Sequence, residues 1–214
     1  MNKAKIIVIT NQKGGCGKTT VTIHLAAALS KRNLQVLVVD ADPQHTATNW
    51  AKNKDKFHFT TTILGKDQQV NRVVQINLEK YDFILVDCPP SFDSIQTMSA
   101  LLVGDIAIIP LLCSANDLWA LQKIDSSIKD AKKINSRLRS HILINQYKPR
   151  ELLTQGIIAA VEDFGISILV SKLGSRNAFK ESAAYGLTVY NLKDNKAIDE
   201  IEKVTEEVLR LLEN

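Results

Sequence analysis

The chain has 214 residues, 45% of them hydrophobic, and a formal net charge of +4. This length suits one α/β domain with a sizeable core and is short for two, so we expect a single domain over residues 1–214. The first apolar run is too short for a signal peptide, and no apolar stretch approaches the length of a membrane span. Three cysteines without a Cys-x-x-Cys pair favour a reduced, cytoplasmic protein without a zinc or iron–sulfur site. No membrane partner is expected.

Short apolar runs alternate with amphipathic segments along the chain. Strand–helix–strand repetition with nearly continuous apolar strands is typical of a parallel sheet that is buried on both faces. The predicted fold class is therefore α/β: a single domain with a mostly parallel, twisted sheet flanked by helices on both faces. The predicted strands are 6–9, 36–39, 83–86, 106–109, 142–144 and 166–170, with 57–63 as an extra edge strand.

Residues 11–20, Asn-Gln-Lys-Gly-Gly-Cys-Gly-Lys-Thr-Thr, follow the first predicted strand. A glycine-rich loop ending in Gly-Lys-Thr can wrap backbone N–H groups around phosphates, and the helix that follows adds a favourable dipole. Lys18 would reach the β- and γ-phosphates of ATP, and the Thr19 hydroxyl would hold Mg²⁺. The simpler alternative is a turn that only reverses the chain. The predicted nucleotide-binding residues are Lys13, Gly14, Gly15, Cys16, Gly17, Lys18, Thr19 and Thr20.

Acidic residues follow the next two strands, at the sheet edge where a parallel sheet binds its ligand. Asp40 and Asp42 follow the second predicted strand and could hold Mg²⁺ through water and orient an attacking water. The alternative is an acidic turn before a helix capped by Thr46. Asp87 follows the run 83–86 and precedes Cys88-Pro89-Pro90, which is typical of an aspartate that binds the hydration shell of Mg²⁺.

The loop at 11–20 resembles the deviant Walker A box, Lys-Gly-Gly-x-Gly-Lys-Thr, of the ParA/MinD class of ATPases. Residues 40–44 match the class's Asp-x-Asp-Pro-Gln box. The resemblance implies that Lys13 reaches across a two-fold axis to the partner's nucleotide, in an ATP-sandwich homodimer. It also implies that Asp42 orients the water, that Asp40 supports the metal and Lys18, and that the proline pair stiffens a γ-phosphate-sensing switch loop.

Two later segments resemble family elements less specifically. Asn145 directly follows the predicted strand 142–144, where the family has an asparagine that reads the adenine edge, and an amide has the donor and acceptor for that task. An ordinary turn asparagine is the alternative. Residues 114–119 correspond to the start of a helix at the family's dimer interface. An ordinary helix N-cap at Asn116 or Asp117 explains this stretch equally well.

Basic residues and the C-terminal segment bear on possible surfaces. Residues 176–182 resemble an Arg-x-Ala-Phe stretch through which the family contacts DNA phosphates, so Lys172, Arg176 and Lys180 are candidate DNA-binding residues; a solvated face is the alternative. The segment 197–212 is amphipathic with an acidic polar face. A lipid-binding helix should be basic there, so this helix is expected to pack on the core, unlike the tail of the MinD branch.

The closest resemblance is to the small, ParF-like plasmid partition ATPases. It implies a nucleoid-associated ATPase in which ATP binding drives dimerisation and the dimer binds non-specific DNA. A small centromere-binding protein, similar to ParB or ParG, would stimulate slow hydrolysis. Two alternatives stay open: a positioning ATPase for a cargo other than DNA, and a metabolic enzyme that uses ATP on a small substrate.

Overall fold

The computed structural model describes residues 3–52, 57–65, 68–148, 152–163 and 166–213. Strands and helices alternate along these residues, as the apolar runs predict. The strands are β1 (Lys5–Ile9), β2 (Val36–Asp40), β3 (Thr60–Ile63), β4 (Phe83–Asp87), β5 (Ile106–Leu112), β6 (Arg139–Asn145) and β7 (Ser167–Ile168). The helices are α1 (Lys18–Ser30), α2 (Thr46–Trp50), α3 (Val70–Gln75), α4 (Ile95–Val103), α5 (Ala115–Ile134), α6 (Leu152–Asp163), α7 (Asn177–Tyr185), α8 (Val189–Leu192) and α9 (Asn195–Glu213).

All strands of the described part of the chain form one parallel sheet in the order β3-β2-β4-β1-β5-β6-β7. β1 lies in the middle, between β4 and β5, so the loop that follows β1 opens at the centre of the sheet. The carboxyl ends of parallel strands share one edge, which is where such sheets bind their ligands. This register brings the ends of β1, β2 and β4 together at that edge.

The core lies on both faces of the sheet, because successive strand residues point to opposite sides. In β1, Ile6 and Val8 pack in one apolar cluster, and Ile7 and Ile9 pack in the other. The first cluster includes residues of α3, α4, α5 and α6, and the second includes residues of α1, α2, α7, α8 and α9. The predicted fold class is therefore confirmed.

Three details refine the sequence predictions. The sheet is entirely parallel over the described strands, because β3 at 60–63 also pairs parallel to β2. Helix α5 begins at Ala115 with Ser114 at the N-cap, so an N-cap at Asn116 or Asp117 was wrong. The C-terminal helix packs on the core as expected, with Ile201, Val204 and Val208 buried. Over the described residues, no helix is long and apolar enough to span a membrane.

Candidate nucleotide-binding site

The loop between β1 and α1 is tied to the neighbouring strand by Asn11. The amide nitrogen of this buried side chain donates to the carbonyl oxygen of Pro110 in β5, at 2.7 Å. Its Oδ1 accepts a hydrogen bond from the backbone N–H of Lys13, at 3.1 Å. Asn11 therefore fixes where the loop leaves the sheet, a role that the glycine-lysine pattern did not indicate.

Glycines allow this loop to adopt backbone angles and a close contact that residues with a side chain would not permit. Gly15 and Gly17 have φ angles of +73° and +95°, in the left-handed region that favours glycine. A Cβ atom on Gly17 would lie 2.2 Å from Nδ2 of Asn145, which is too close. A Cβ on Gly14 or Gly15 would meet no atom within 4 Å. The loop thus forms an open concavity above a tightly packed base.

The two lysines of the loop point to different partners. Lys18 is buried, and its ammonium group donates to the backbone carbonyl of Lys13 at 3.1 Å. The side chain of Lys13 is half-buried and extends away, and its Nζ donates to the hydroxyl of Ser114, at 3.1 Å. Lys18 therefore lies inside the loop, whereas Lys13 lies at its outer side, next to the N-terminal end of α5.

Asp40 and Asp87 occupy paired positions at the ends of β2 and β4, and both are completely buried. Asp87 accepts hydrogen bonds from the hydroxyls of Thr19, at 2.7 Å, and Thr22, at 3.1 Å. Burial raises the pKa of Asp87 to about 7, opposed by the Thr19 hydrogen bond and reinforced by the charge of Asp40. Burial also raises the pKa of Asp40. Thr22 was missed in the sequence, although it lies one helical turn after Thr19.

This group of side chains fits a divalent cation. Oδ2 of Asp40 accepts a hydrogen bond from the backbone N–H of Thr48, with an N–O distance of 2.8 Å. Its Oδ1 is buried and has no hydrogen-bond partner among the residues that the structure describes. Carboxylate and hydroxyl oxygens are the ligands that Mg²⁺ prefers, and a cation would offset the cost of burying two carboxylates side by side. The predicted metal residues Thr19, Asp40 and Asp87 lie close to one another at the mouth of the loop, since Asp87 pairs with Asp40 and accepts the hydrogen bond of Thr19. Their chemistry and placement fit a bound Mg²⁺.

Asp42 belongs to the turn between β2 and α2. Its Oδ1 accepts the backbone N–H of Gln44 at 2.9 Å, so the carboxylate holds an acidic turn, as the alternative interpretation proposed. Helix α2 begins at Thr46, with His45 rather than Thr46 at the N-cap. The half-buried Asp42 also faces the same cavity as the loop. The turn and a catalytic placement are thus compatible.

A cavity of about 600 Å³ joins these elements. Predicted residues on its wall include Gly14, Gly15, Lys18, Thr19, Asp42 and Pro90. The wall also includes Asn49 and Trp50 of α2 and Ala183 of α7. No sequence motif marked these three residues, because a single helix residue outside a motif gives no indication that it lines a cavity.

A second cavity, of about 190 Å³, continues past Gly17. Asn145 lies at its base, where Nδ2 donates to the carbonyl of Cys16 and Oδ1 accepts the N–H of Gln146, both at 2.8 Å. The Asn145 amide is thus already hydrogen-bonded to the loop at Cys16 and to the turn at Gln146. One N–H and one oxygen lone pair remain by the chemistry of the group, so adenine recognition stays a prediction.

The candidate DNA-binding residues lie near this second cavity. Arg176 and Lys180 line it, and the Arg176 guanidinium forms an ion pair with Glu200 at 2.5 Å. The ammonium of Lys172 lies 4.7 Å from the centre of the Tyr147 ring. Lys180 is exposed. Arg176 thus has a structural partner within the chain, and the DNA role of all three residues stays a prediction.

The buried cysteines near the site are small packing residues. Cys16 lies in the loop, with its sulfur 3.2 Å from the carbonyl oxygen of Lys13. Burial raises the pKa of the Cys88 thiol far above its ordinary value, which keeps it protonated. A protonated thiol is a poor nucleophile, so the environment of Cys88 favours packing over nucleophilic chemistry.

A family model described as the CobQ/CobB/MinD/ParA nucleotide binding domain matches residues 7–189, most of the chain. The chain belongs to this family. Its ParA and MinD members are ATPases, and the ParA/MinD resemblance of the loop is thereby confirmed. The matched range spans β1 to the start of α8 and so contains the loop and the strand ends described above.

Two curated relatives are similar along nearly their whole length. The maintenance of carboxysome distribution protein A of Halothiobacillus neapolitanus is 32% identical, over 97% of this chain and 98% of the relative. The chromosome-partitioning ATPase Soj of Thermus thermophilus is 27% identical, over 87% of this chain and 88% of its own. The chain is thus a member of the partitioning and positioning branch of the family.

Solved structures show the same fold. A plasmid partition protein from Borrelia burgdorferi has a TM-score of 0.74 at 22% identity, with 98% of this chain and 99% of that chain covered. Cobyrinic acid a,c-diamide synthase from Mycobacterium smegmatis, with bound ADP and magnesium, has a TM-score of 0.70 at 19% identity, covering 86% and 92%. The family's nucleotide sites accordingly include examples with a nucleotide and Mg²⁺ bound.

Proposed function

We propose that this chain is an ATP-driven DNA partition ATPase. ATP binding closes a homodimer, the dimer binds DNA without sequence preference, and hydrolysis releases it. The observation that carries this proposal is the arrangement of the two loop lysines. Lys18 is buried within the loop, whereas the ammonium of Lys13 lies at its outer side beside Ser114. A lysine at that place can serve a nucleotide other than the one in its own loop.

The hydrolytic step follows from the side chains around the cavity. Lys18 would neutralise charge on the transferred phosphoryl group, and Asp42 would orient the attacking water. Asp87, Asp40 and Thr19 would hold the metal, which when bound neutralises the phosphate oxygens. Lys13 of the other protomer would add positive charge to the same phosphates, so that the products, ADP and phosphate, form only in the dimer. Slow turnover is expected when one charge must come from a partner.

The DNA step is supported by charge and by relatives. The net charge of +4 is modest, and dimerisation doubles it on one particle. Phosphate contacts need only positioned lysine or arginine, without reading bases. The Soj relative is named a chromosome-partitioning ATPase. We expect a small centromere-binding protein, of the ParB or ParG kind, to stimulate hydrolysis, and a nucleoid location to follow from DNA binding.

A positioning ATPase for a protein cargo is the second candidate. It is favoured by the similarity to a carboxysome distribution protein over nearly the full length of both chains. The two candidates share every motif of the site and the same ATP-driven dimer, and they differ in the cargo and in the partner that stimulates hydrolysis. The nucleotide site is therefore expected to behave identically under either.

Co-sedimentation with DNA fragments of unrelated sequence tests the proposal. The protein should sediment with DNA in ATP and Mg²⁺ and stay in the supernatant with ADP or without nucleotide. Binding that ignores the nucleotide would contradict an ATP-driven switch. ATP turnover that needs neither dimer nor DNA, and rises with a small-molecule acceptor, would instead support a metabolic enzyme. Partners captured on the ATP-bound Asp42→Ala protein would separate the two cargo candidates: a DNA-binding protein indicates partition, and a shell or scaffold protein indicates positioning.

A further inference from the structure

The segment from residue 170 to residue 176 contributes its last three residues to the wall of the second cavity. Gly174, Ser175 and Arg176 line this cavity together with Gly17 and Asn145. The segment joins β7 to α7 and has little regular structure of its own. Its position must therefore come from neighbouring elements.

One set of neighbours is the end of β6. The backbone N–H of Leu173 donates to the carbonyl of Ile144, at 3.0 Å, and the N–H of Tyr147 donates to the carbonyl of Leu173, at 2.8 Å. The N–H of Ser175 donates to the carbonyl of Tyr147, at 3.2 Å. These bonds tie one edge of the segment to the turn that carries Asn145.

Glu200 of α9 holds the same segment from outside. Its Oε2 accepts the backbone N–H of Gly174 at 2.9 Å, and its Oε1 accepts the guanidinium of Arg176 at 2.5 Å. The Glu200 side chain is only 18% exposed. A Cβ on Gly174 would lie 3.0 Å from Oε1 of Glu200, so a glycine there permits this close approach.

Glu207 repeats the arrangement two helical turns further along α9. Its two carboxylate oxygens accept the backbone N–H groups of Val170, at 2.7 Å, and Ser171, at 2.8 Å. The apolar face of α9 is anchored in the core by Ile201 and Val208. The acidic face of the C-terminal helix is therefore more than a solvated surface. Two of its carboxylates bind backbone donors of the segment 170–176, and Glu200 binds the part of it that lines the cavity.

We infer that Glu200 is a positioning residue for the base of the bound nucleotide. Acting through Gly174 and Arg176, it positions the part of the second cavity's wall that lies next to the turn carrying Asn145, whereas the phosphates depend on the loop at 11–18. This inference rests on the proposed function, which places the phosphates in the loop and so leaves the adjoining cavity to the base. It predicts that Glu200 affects ligands with a base and spares ligands without one.

The test is calorimetric titration with ATP and with inorganic tripolyphosphate, both with Mg²⁺. Glu200→Ala should weaken ATP binding about tenfold, the typical effect of removing a hydrogen bond to a charged group. Tripolyphosphate binding should stay unchanged. Glu200→Gln keeps an acceptor for the N–H of Gly174 and should recover part of the loss. Glu206→Gln, an exposed glutamate on the same helix, is the matched control and should behave as wild type.

Two outcomes would overturn the role of Glu200, and a third would contradict the proposed function on which the inference rests. Unchanged ATP affinity in both Glu200 variants would show that the wall does not depend on this carboxylate. An equal loss for ATP and tripolyphosphate would show a general structural effect. Wild-type protein that binds tripolyphosphate as tightly as ATP would remove the base from the second cavity, and this result would contradict the proposed placement of the nucleotide rather than the role of Glu200 in holding the wall.

Discussion

The ammonium group of Lys18 donates a hydrogen bond to the backbone carbonyl of Lys13, at 3.1 Å. The second lysine of the loop thus holds the backbone of the first, while the side chain of Lys13 extends to Ser114. Because the two side chains have different surroundings, their substitutions should have different consequences. Lys18 should act on the nucleotide of its own chain and Lys13 on that of a partner.

Gly17→Ala and Gly14→Ala are a matched pair that tests the geometry of the loop. Gly17 has a φ of +95°, and its Cβ would collide with Nδ2 of Asn145, whereas a Cβ on Gly14 would meet nothing within 4 Å. We expect Gly17→Ala to lower the free energy of unfolding of the nucleotide-free protein by about 1–3 kcal/mol, and Gly14→Ala to leave it nearly unchanged. Urea unfolding measures both. Equal stability of the two variants would contradict the described packing of Asn145 against the loop.

Lys18→Ala and Asp42→Ala should separate binding from chemistry. Without Lys18 the charge that meets the phosphates is removed, so nucleotide binding should fall below detection. Without Asp42 the attacking water loses its orientation, so the protein should bind ATP and dimerise but hydrolyse roughly 10²-fold more slowly or worse. Steady-state phosphate release and nucleotide titration provide the measurements, with Asp130→Asn on the exposed face of α5 as a control. An Asp42→Ala protein with wild-type turnover would disprove its role.

The sequence predicted the sheet because its strands are nearly uninterrupted apolar runs, such as 36–39 and 83–86. Short apolar runs of this kind are typical of parallel strands that are buried on both faces. It also predicted that Lys18, Thr19, Asp40 and Asp87 would meet, because the carboxyl ends of parallel strands share an edge. Both predictions depend on local pattern and on one rule of topology.

The remaining features depend on contacts between distant segments, which no local pattern encodes. Asn11 binds Pro110, Trp50 lines the main cavity with Ala183, and Glu200 binds Gly174. In the sequence, Glu200 is one of several acidic residues on an amphipathic helix, and only the fold shows which of them bind backbone donors. The same limit applies to Arg176, whose ion pair could not be foreseen.

His24 makes the stability of the protein depend on pH. This buried residue lies in α1 with its Nδ1 2.7 Å from the carbonyl oxygen of Thr20, and its ring meets Trp50 and Phe179 edge to face. Burial lowers the pKa of His24 from 6.5 to about 4, opposed by the hydrogen bond to Thr20. The unfolded chain therefore binds a proton at this residue between these pH values that the folded chain does not. The contribution of His24 to stability is thus full above pH 6.5 and is lost as pH falls toward 4.

We expect His24→Gln to be less stable than wild type at pH 7, because the packing of the ring is removed. Its free energy of unfolding should also rise less from pH 4 to pH 6.5 than that of wild type, because the contribution of His24 is absent. In wild type, the part of the free energy of unfolding that depends on His24 and is lost between pH 6.5 and pH 4 should be of the order of 3 kcal/mol. Urea unfolding at several pH values measures the slope, and His58→Gln, at an exposed position, serves as the control. An identical slope in His24→Gln and wild type would exclude His24 as the titrating group.

Lys172→Ala and Lys180→Ala should weaken DNA binding, because these side chains are expected to bind DNA phosphates. ATP binding should stay intact in Lys172→Ala, because Lys172 is not among the described residues that line the second cavity, whereas Lys180 is. Removing one lysine–phosphate interaction should reduce the slope of log affinity against log salt by about 0.9 for duplex DNA. Lys80→Ala is the control. It removes an exposed charge that precedes β4, at the amino ends of the parallel strands and so away from the nucleotide-binding ends. Wild-type DNA affinity at every salt concentration in both variants would assign the residues to the solvated face.

Arg176→Ala should give a different result from Lys172→Ala. It breaks the ion pair with Glu200 in the wall of the second cavity. We therefore expect weaker ATP binding together with weaker DNA binding, in place of a loss confined to DNA. Filter binding with labelled ATP and with DNA, at matched protein concentrations, separates the two effects; a variant deficient only in DNA binding would show that the ion pair does not support the nucleotide cavity.

Light scattering on Lys13→Ala tests the central claim most directly. Wild-type protein in ATP and Mg²⁺ should have about twice the chain mass of 23.8 kDa and should return to the monomer mass in ADP. Lys13→Ala should bind ATP and remain a monomer in every nucleotide state, while Lys133→Ala, an exposed lysine near the end of α5, should dimerise as wild type does. ATP-dependent dimerisation of Lys13→Ala with unchanged hydrolysis would contradict a lysine that acts on the partner's nucleotide.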